Sequence, residues 1–362
     1  MNYKDLKNQT AQMPTLQEII TEKRQWNTTH RPFDRTVRLD QYHFQPRELG
    51  VAESVSSLIP FVNIIVPDPK NLPVVPPTTA PVPLTANLTT HAVDQLLARL
   101  DIRKKDFTRL PPGIMQYVAD WYILHENDGK EIFIRMQDEN TCRAVLSTSF
   151  KTFDDLELLE MIAPVCPPDS KVHLAWDDEL TMHLSLTFPD TKTAVRVGDM
   201  VESGIHISNS EVGMRSVTIA PFVWRLRCRN GLVGLTGNGD NGDGVSRFHH
   251  MGDGKRMRDA VQLAIASVMT DYPKLTAQFR EALDKAIADP AQKLADVVKE
   301  HELTKDDYKE FLDKFFHEET VPDYNLFGVV NAITATARDR NGENAFALQR
   351  VASQTLITGL QN

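Results

Sequence analysis

The sequence predicts an α+β fold, with an antiparallel sheet core at about residues 131–235 followed by a helical C-terminal half at 255–362. Three observations predict it. Between residues 171 and 188, apolar Leu174, Trp176, Leu180, Met182, Leu184, Leu186 and Phe188 occupy even positions, while polar His173, Asp177, Thr181, His183 and Ser185 occupy odd ones. A period of two is that of a hairpin with one buried face, turning at Asp177 and Asp178. Past Gly254 the apolar residues recur at the helical period instead, and strands followed by helices indicate segregated layers rather than alternating βαβ units.

The elements follow in order. Residues 15–26 read as a short helix and 36–44 as a strand, so 1–65 form an N-terminal arm or small element. Seven prolines between 66 and 83 remove seven backbone donors and favour an extended linker, 66–85. Thr89 or Thr90 can cap a helix carrying Val93, Leu96, Leu97 and Leu100, which opens the main domain, 86–362. Strand patterns dominate 131–235, interrupted by a helix at 153–162. A Gly-rich loop, 236–254, separates them from helices at 257–270 (continuing after Pro273), 293–299, 304–318 and on both sides of Gly342. Phe311, Leu312, Phe315 and Phe316 are expected to pack on the sheet or a neighbouring subunit.

With 41% apolar and 25% charged residues in 362, the chain can bury one large core or two smaller ones, which excludes a disordered tail. No run of about 18 uncharged apolar residues occurs and residues 1–10 are polar, so neither a membrane span nor a signal peptide is expected, and the protein reads as cytoplasmic. Cys142, Cys166 and Cys228 are odd in number and share no metal-ligand spacing, which suits buried free thiols in a reducing compartment. The net charge of −9 argues against general nucleic-acid coating. Residues 211–258 nevertheless hold eight basic residues against four acidic ones, a local +4 that leaves −13 on the rest, and such a segment is a candidate anion site.

Within that segment Arg225, Arg227 and Arg229 lie at spacing two, with Phe222, Trp224, Leu226 and Cys228 on the alternate positions. On one strand they form a row about 6.6 Å apart, at roughly 3.3 Å per residue, on the order of the phosphate spacing of an extended single strand. The competing reading is a solvated strand face paired with acids such as Asp177 or Glu179. Asn230 and Gly231 would make the tight turn that ends the strand, with Asn209 and Ser210 as a second turn opposite. Lys255, Arg256 and Arg258 fall at the start of a helix that Asp253 can cap. There the helix dipole disfavours cations by a few tenths to about 1 kcal/mol, which a bound anion, or Asp253 and Asp259, would offset. Arg247, His249 and His250 complete the candidate nucleic-acid-binding set.

Gly237, Gly239 and Gly242 match G-x-G-x-x-G, but Asp243, Gly244 and Val245 continue the loop where a dinucleotide site needs a helix, so a mobile surface loop is expected. Adjacent His249 and His250 point apart on a strand, and His173, His183 and His206 stand isolated on polar strand faces. No metal site, catalytic residue or cofactor is expected. Asp177, Asp178 and Glu179 offer an enzymatic alternative, a carboxylate set for two-metal phosphoester chemistry, against the simpler reading of an acidic turn.

Four stretches carry a family resemblance: LTTHAVDQLLARLDIRKKDFTRL (88–110), RAVLSTSFKTFDDLELLEMI (143–162), ISNSEVGMRSVTIAPFVWRLRCRNGLVGL (207–235) and NLFGVVNAITATARD (325–339). The third, with an Asn-Ser pair, a Gly and an aromatic-rich strand ending in Cys-x-Asn-Gly-Leu-Val, is the diagnostic one. Together they resemble the phage- and plasmid-borne family known as domain of unknown function 932. The resemblance implies a mobile-element setting and carries over no established activity.

These readings give a leading expectation and two alternatives. The first is a nucleic-acid-binding protein of a phage or plasmid, single-stranded DNA favoured, acting as an annealing or recombination accessory. The second is a metal-dependent phosphoesterase or nucleotide-binding enzyme, and the third a host-interaction or anti-defence protein whose acidic surface mimics nucleic acid. A second copy of the chain and a host protein are the other partners considered, and a membrane is not.

Overall fold

A computed structural model describes residues 14–30, 33–47, 56–60, 85–127, 129–178, 180–227, 229–233, 245–317, 322–340 and 342–361. They divide into a smaller unit, Gln25–Phe150, and a larger one made of Met1–Arg24 with Lys151–Asn362. Helix α1 (Leu16–His30) opens on a capping box: the Thr15 hydroxyl accepts from the Glu18 N–H, and the Glu18 carboxylate accepts from the Thr15 N–H.

The smaller unit is built from β1 (Arg35–Arg38), β2 (Tyr42–Gln45), β3 (Ser57–Pro60), β4 (Ala86–Leu88), helices α2 (Thr90–Arg99), α3 (Lys104–Phe107) and α4 (Pro112–His125), then β5 (Glu131–Met136) and β6 (Thr141–Ser147). Its sheet runs β1-β5-β6-β4-β3-β2, antiparallel except between β4 and β6. Thr89 caps α2 as expected, its hydroxyl accepting from the Ala92 N–H at 3.2 Å. Leu96 and Leu97 of α2 and Ala119 and Ile123 of α4 bury their side chains with Ile132 and Val145 of the sheet. The segments β1, β2 and β3 are therefore strands of this sheet. Their partners β4 and β5 come much later in the chain, and local alternation does not encode such pairing. The proline-rich stretch falls in 61–84, outside the described residues.

The larger unit adds α5 (Asp155–Ile162), β7 (Lys171–Asp177), β8 (Met182–Thr187), β9 (Thr193–Arg196), β10 (Asp199–Asn209), β11 (Val217–Arg225), β12 (Asn230–Val233) and β13 (Ser246–Phe248). Helices α6 (Gly254–Asp284), α7 (Pro290–Glu300), α8 (Lys305–His317), α9 (Leu326–Arg338) and α10 (Gly342–Gln361) follow. The sheet order is β12-β11-β10-β8-β7, with β13 on β11 and β9 on β10, all antiparallel. The α+β class and the order of strands before helices stand as expected. The strands of 131–235 form two sheets, however, with β5 and β6 in the smaller unit. Among the described residues no helix is long and apolar enough to cross a membrane.

One face of the larger sheet is apolar. Leu184, Leu186, Ile205, Ile207, Val217 and Ile219 meet Met257, Val261, Ile265 and Val268 of α6 and Leu158, Leu159 and Ile162 of α5. The second half of α6, with Phe279 and Ala282, joins α7 to α10 around the almost wholly buried α9. Phe311 and Phe315 lie in that core as expected, while Phe316 is exposed. Although Pro273 interrupts the sequence pattern, α6 runs through it, its two halves anchored in separate cores.

The hairpin of 171–188 forms as β7 and β8, with one irregularity. A register shift between Val172 and Leu174 pairs Leu174 with Ser185 and Trp176 with His183, so these two apolar residues turn to the polar side. The turn is held by Asp178, whose Oδ1 accepts from the N–H groups of Leu180 and Thr181 at 2.9 and 2.7 Å.

Candidate functional site

The expected row of three arginines does not form. Strand β11 ends at Arg225, and the chain turns back after it so that Arg225 pairs with Asn230, closed by the Arg229 N–H donating to the Arg225 carbonyl at 3.0 Å. The turn thus precedes the Asn-Gly pair, and Arg229 takes the left-handed conformation, φ 50°. Asn230 is drawn into β12 because its amide donates to Asn331 Oδ1 and Thr334 Oγ1, each at 2.8 Å. Gly231 is required there, since a Cβ would lie 2.4 Å from the Phe222 ring. Arg225 turns inward, its Nε donating to Asp199 at 2.8 Å and its Nη1 to Asn331 Oδ1 at 2.7 Å, with only 5% of its surface exposed. Arg227 and Arg229 remain exposed in the turn.

Two more expected contacts are structural. His250 is buried, its Nδ1 against the Lys151 carbonyl and its Nε2 against Asn209 Oδ1, both at 3.0 Å. Arg258 grips Glu157, with Nη2 to Oε2 at 3.0 Å. The Asp253 cap forms, accepting from the Lys255 N–H at 2.9 Å, and leaves Lys255, Arg256 and His249 exposed. Arg247 sits half-buried on β13 opposite Thr218. The cations thus fall in two groups at opposite ends of β11, about 23 Å apart at roughly 3.3 Å per residue. Glu179, Cys228, Gly237, Gly239 and Gly242 lie outside the described residues.

Alternation along the larger sheet also collects a second set, which local sequence reading left as isolated polar positions. His183-Leu184-Ser185 on β8 and His206-Ile207-Ser208 on β10 are antiparallel neighbours, with His206 opposite Ser185 and His183 opposite Ser208. All four polar side chains are on the face away from α6, and all are fully buried. Ser185 Oγ lies 2.7 Å from His206 Nδ1, and the two imidazoles are 5.7 Å apart. Helix α10 covers them, Phe346 stacking on His206 at 4.7 Å. Burial, reinforced by His183 and Arg215, pushes the His206 pKa well below its ordinary value; burial also lowers that of His183.

At the rim of this face, in the loop after β10, stands Arg215. Its guanidinium lies over the Phe346 ring at 4.9 Å and reaches His183 Nε2 at 2.8 Å and Glu343 Oε2 at 2.7 Å. Burial depresses the Arg215 pKa; Glu343 opposes that effect, and the positive charges of Arg350 and Arg247 add to it. Arg215, in its loop, therefore feels the charges of Arg247 on β13 and Arg350 on α10 while it pairs with Glu343, which is 57% exposed. Among the described residues, Arg215 Nε, His206 Nε2 and Ser208 Oγ are buried here without a hydrogen-bond partner. A surplus of donors and positive charge beside unsatisfied polar atoms is what an anion would complete.

On the apolar side of the sheet lies a different cluster. Lys23 of α1 is held by Asp155 at 2.8 Å and Asp177 at 2.5 Å. Asn209 donates to Asp155 at 2.9 Å, and Glu211 accepts from the Asp155 N–H at 2.9 Å. Burial opposes the Lys23 charge, yet Asp155, Asp177 and Glu211 together hold its pKa above the ordinary value. Burial pushes the Asp155 carboxyl up to about 6. Asp177 serves this ion pair and Asp178 serves the turn, so the two do not make a joint carboxylate site. Among the described residues, no three His, Cys, Asp or Glu side chains group as metal ligands.

The histidines set a pH dependence. Burial holds His173, His183 and His206 below 6.5 in the folded chain, His173 at about 4. The unfolded chain therefore binds these protons first, and stability present above pH 6.5 is lost as pH falls, by up to about 1.4 kcal/mol per pH unit for each site. Asp155 acts oppositely between about 6 and 4, where the folded state holds the extra proton. Urea midpoints should drop between pH 7 and 5, more steeply below 6.5 than above it. A flat profile would show that these imidazoles are not held neutral.

Residues 177–339 match the model of a family described as Domain of unknown function (DUF932). No curated protein and no solved structure matches the chain. The matched stretch includes the diagnostic 207–235 segment, His183, His206, Arg215 and Arg247, and ends before Glu343, Phe346 and Arg350 of α10.

Proposed function

For a chain whose residues 177–339 match the model of domain of unknown function 932, we propose that it binds the phosphate backbone of nucleic acid, with Arg215, Arg247 and Arg350 receiving a phosphate. The Arg215–Glu343 contact at 2.7 Å, made on a half-exposed carboxylate while Arg215 feels the positive charges of Arg350 and Arg247, carries the reading. In the free protein Glu343 stands where the phosphate would, and a phosphodiester would displace it. Arg227, Arg229, Lys255 and Arg256, exposed on the same unit, add long-range attraction. Contacts of this kind position a backbone and read no bases. Single-stranded DNA is the form we propose, for an annealing or recombination accessory of a phage or plasmid working in the cytoplasm. The mobile-element setting that the resemblance implies is the support for that finer part.

One observation favours a second reading, phosphoester hydrolysis: the paired His-x-Ser segments. Two imidazoles across a phosphodiester suit general acid–base work, but a general acid must hold a proton near the working pH. Burial keeps both His183 and His206 neutral there, and Phe346 covers His206, so binding is the better-supported role.

Titrating the full chain with a fluorescent single-stranded oligonucleotide at several salt concentrations tests the proposal. The phosphate held by the three guanidiniums contributes about −0.7 to the slope of log affinity against log salt, and each further phosphate met by Arg227, Arg229, Lys255 or Arg256 adds roughly as much. Absence of binding at low salt would sink the reading and move the host-interaction alternative, with its acidic remainder of the surface, ahead.

A further inference from the structure

We infer that the outer face of α4 is a self-association surface whose occupant is the same face of a second copy of this chain. Helix α4 (Pro112–His125) has two apolar faces. The inner one, Met115, Val118, Ala119, Tyr122 and Ile123, belongs to the core of the smaller unit. The outer one exposes Ile114 (49%), Tyr117 (69%), Trp121 (41%) and Leu124 (42%).

These four residues follow spacings of three, four and three, the a/d seam along which two helices carrying the same stripe interlock. A stripe that pairs with itself needs only a two-fold axis, the commonest symmetry of soluble oligomers. Trp and Tyr are enriched at such contacts, and Trp121 is already fixed edge-on against Tyr122 with ring centroids 5.2 Å apart. Charge favours this occupant. The helix PGIMQYVADWYILH has one carboxylate, Asp120, and that is turned inward to accept from the Phe44 N–H at 2.7 Å. The four seam residues are uncharged in a chain of net charge −9, so two copies can meet along them without like charges facing across the seam.

Size sets the strength. A helix of 14 residues is about 21 Å long. Alone it covers less than the roughly 800 Å² per partner of a standard interface, so the dimer is weak, with dissociation in the micromolar range or above.

Sedimentation equilibrium of the full chain from about 1 to 200 μM tests the inference. The expected result is a mean mass that rises from one chain toward two. Tyr117→Glu, at the most exposed of the four positions, should keep the parental melting curve and remain one chain at every concentration; Leu124→Glu is the second variant, should Tyr117→Glu fail to fold. A parent that stays monomeric throughout, or glutamate variants that associate as the parent does, would overturn it. A face covered by another partner, or by another part of the same chain, would give the first of these outcomes.

Discussion

Replacing Lys23 by methionine should destabilise the larger unit by on the order of 3–5 kcal/mol, the usual loss when one partner of a buried ion pair is removed. The reason is arithmetic of charge. Lys23 is the cation among Asp155, Asp177 and Glu211, and Asp155 and Glu211 are themselves buried. Methionine restores the apolar part of the side chain but leaves carboxylates in a site where Asp155 is already pushed up to about 6. The loss should shrink as pH falls from 7 to 5, because protonation removes the unpaired charge. Urea unfolding of parent and variant at both pH values gives the comparison. A loss below about 1 kcal/mol at pH 7 would mean that solvent already reaches the cluster.

The second large effect separates the arginines that the sequence put in one row. Arg225→Leu should cost about 3–5 kcal/mol, since it strands Asp199, which is fully buried, and removes the donor to Asn331 that ties β11 to α9. Arg196, 3.4 Å from Asp199, can take over part of the pairing and keep the loss at the lower end. Arg227→Ala and Arg229→Ala, in the exposed turn, should each stay within about 0.5 kcal/mol. Equal effects at the three positions would contradict the turn that follows Arg225.

How much was legible follows from these cases. The β7–β8 hairpin, the caps at Thr89 and Asp253 and the order of helices were visible because each rests on neighbours within a few residues. Alternation also marked His183 and Ser185 as a polar face, but it could not say that the face is covered, because its cover, α10, begins at Gly342. A buried polar face looks like a solvated one in sequence. The same limit misplaced Arg225: its partner Asp199 is on the adjacent strand, and spacing alone cannot tell an inward guanidinium from an outward one. Arg215, Glu343 and Arg350 come from a loop and a distant helix, and only the fold brings them together.

The central claim, that a phosphate takes the place of Glu343 beside the arginines, is tested most directly by one oligonucleotide titration of three proteins at a single low salt concentration. Glu343→Gln removes the internal competitor and should bind several-fold tighter than the parent. Arg215→Gln should bind roughly ten- to a hundred-fold more weakly, the worth of a charge-assisted hydrogen bond, with Arg247→Gln replacing it should its melting curve fall below that of the parent. Opposite shifts of the two variants are the predicted result. Unchanged affinity in both, or weaker binding by Glu343→Gln with intact folding, would contradict the account.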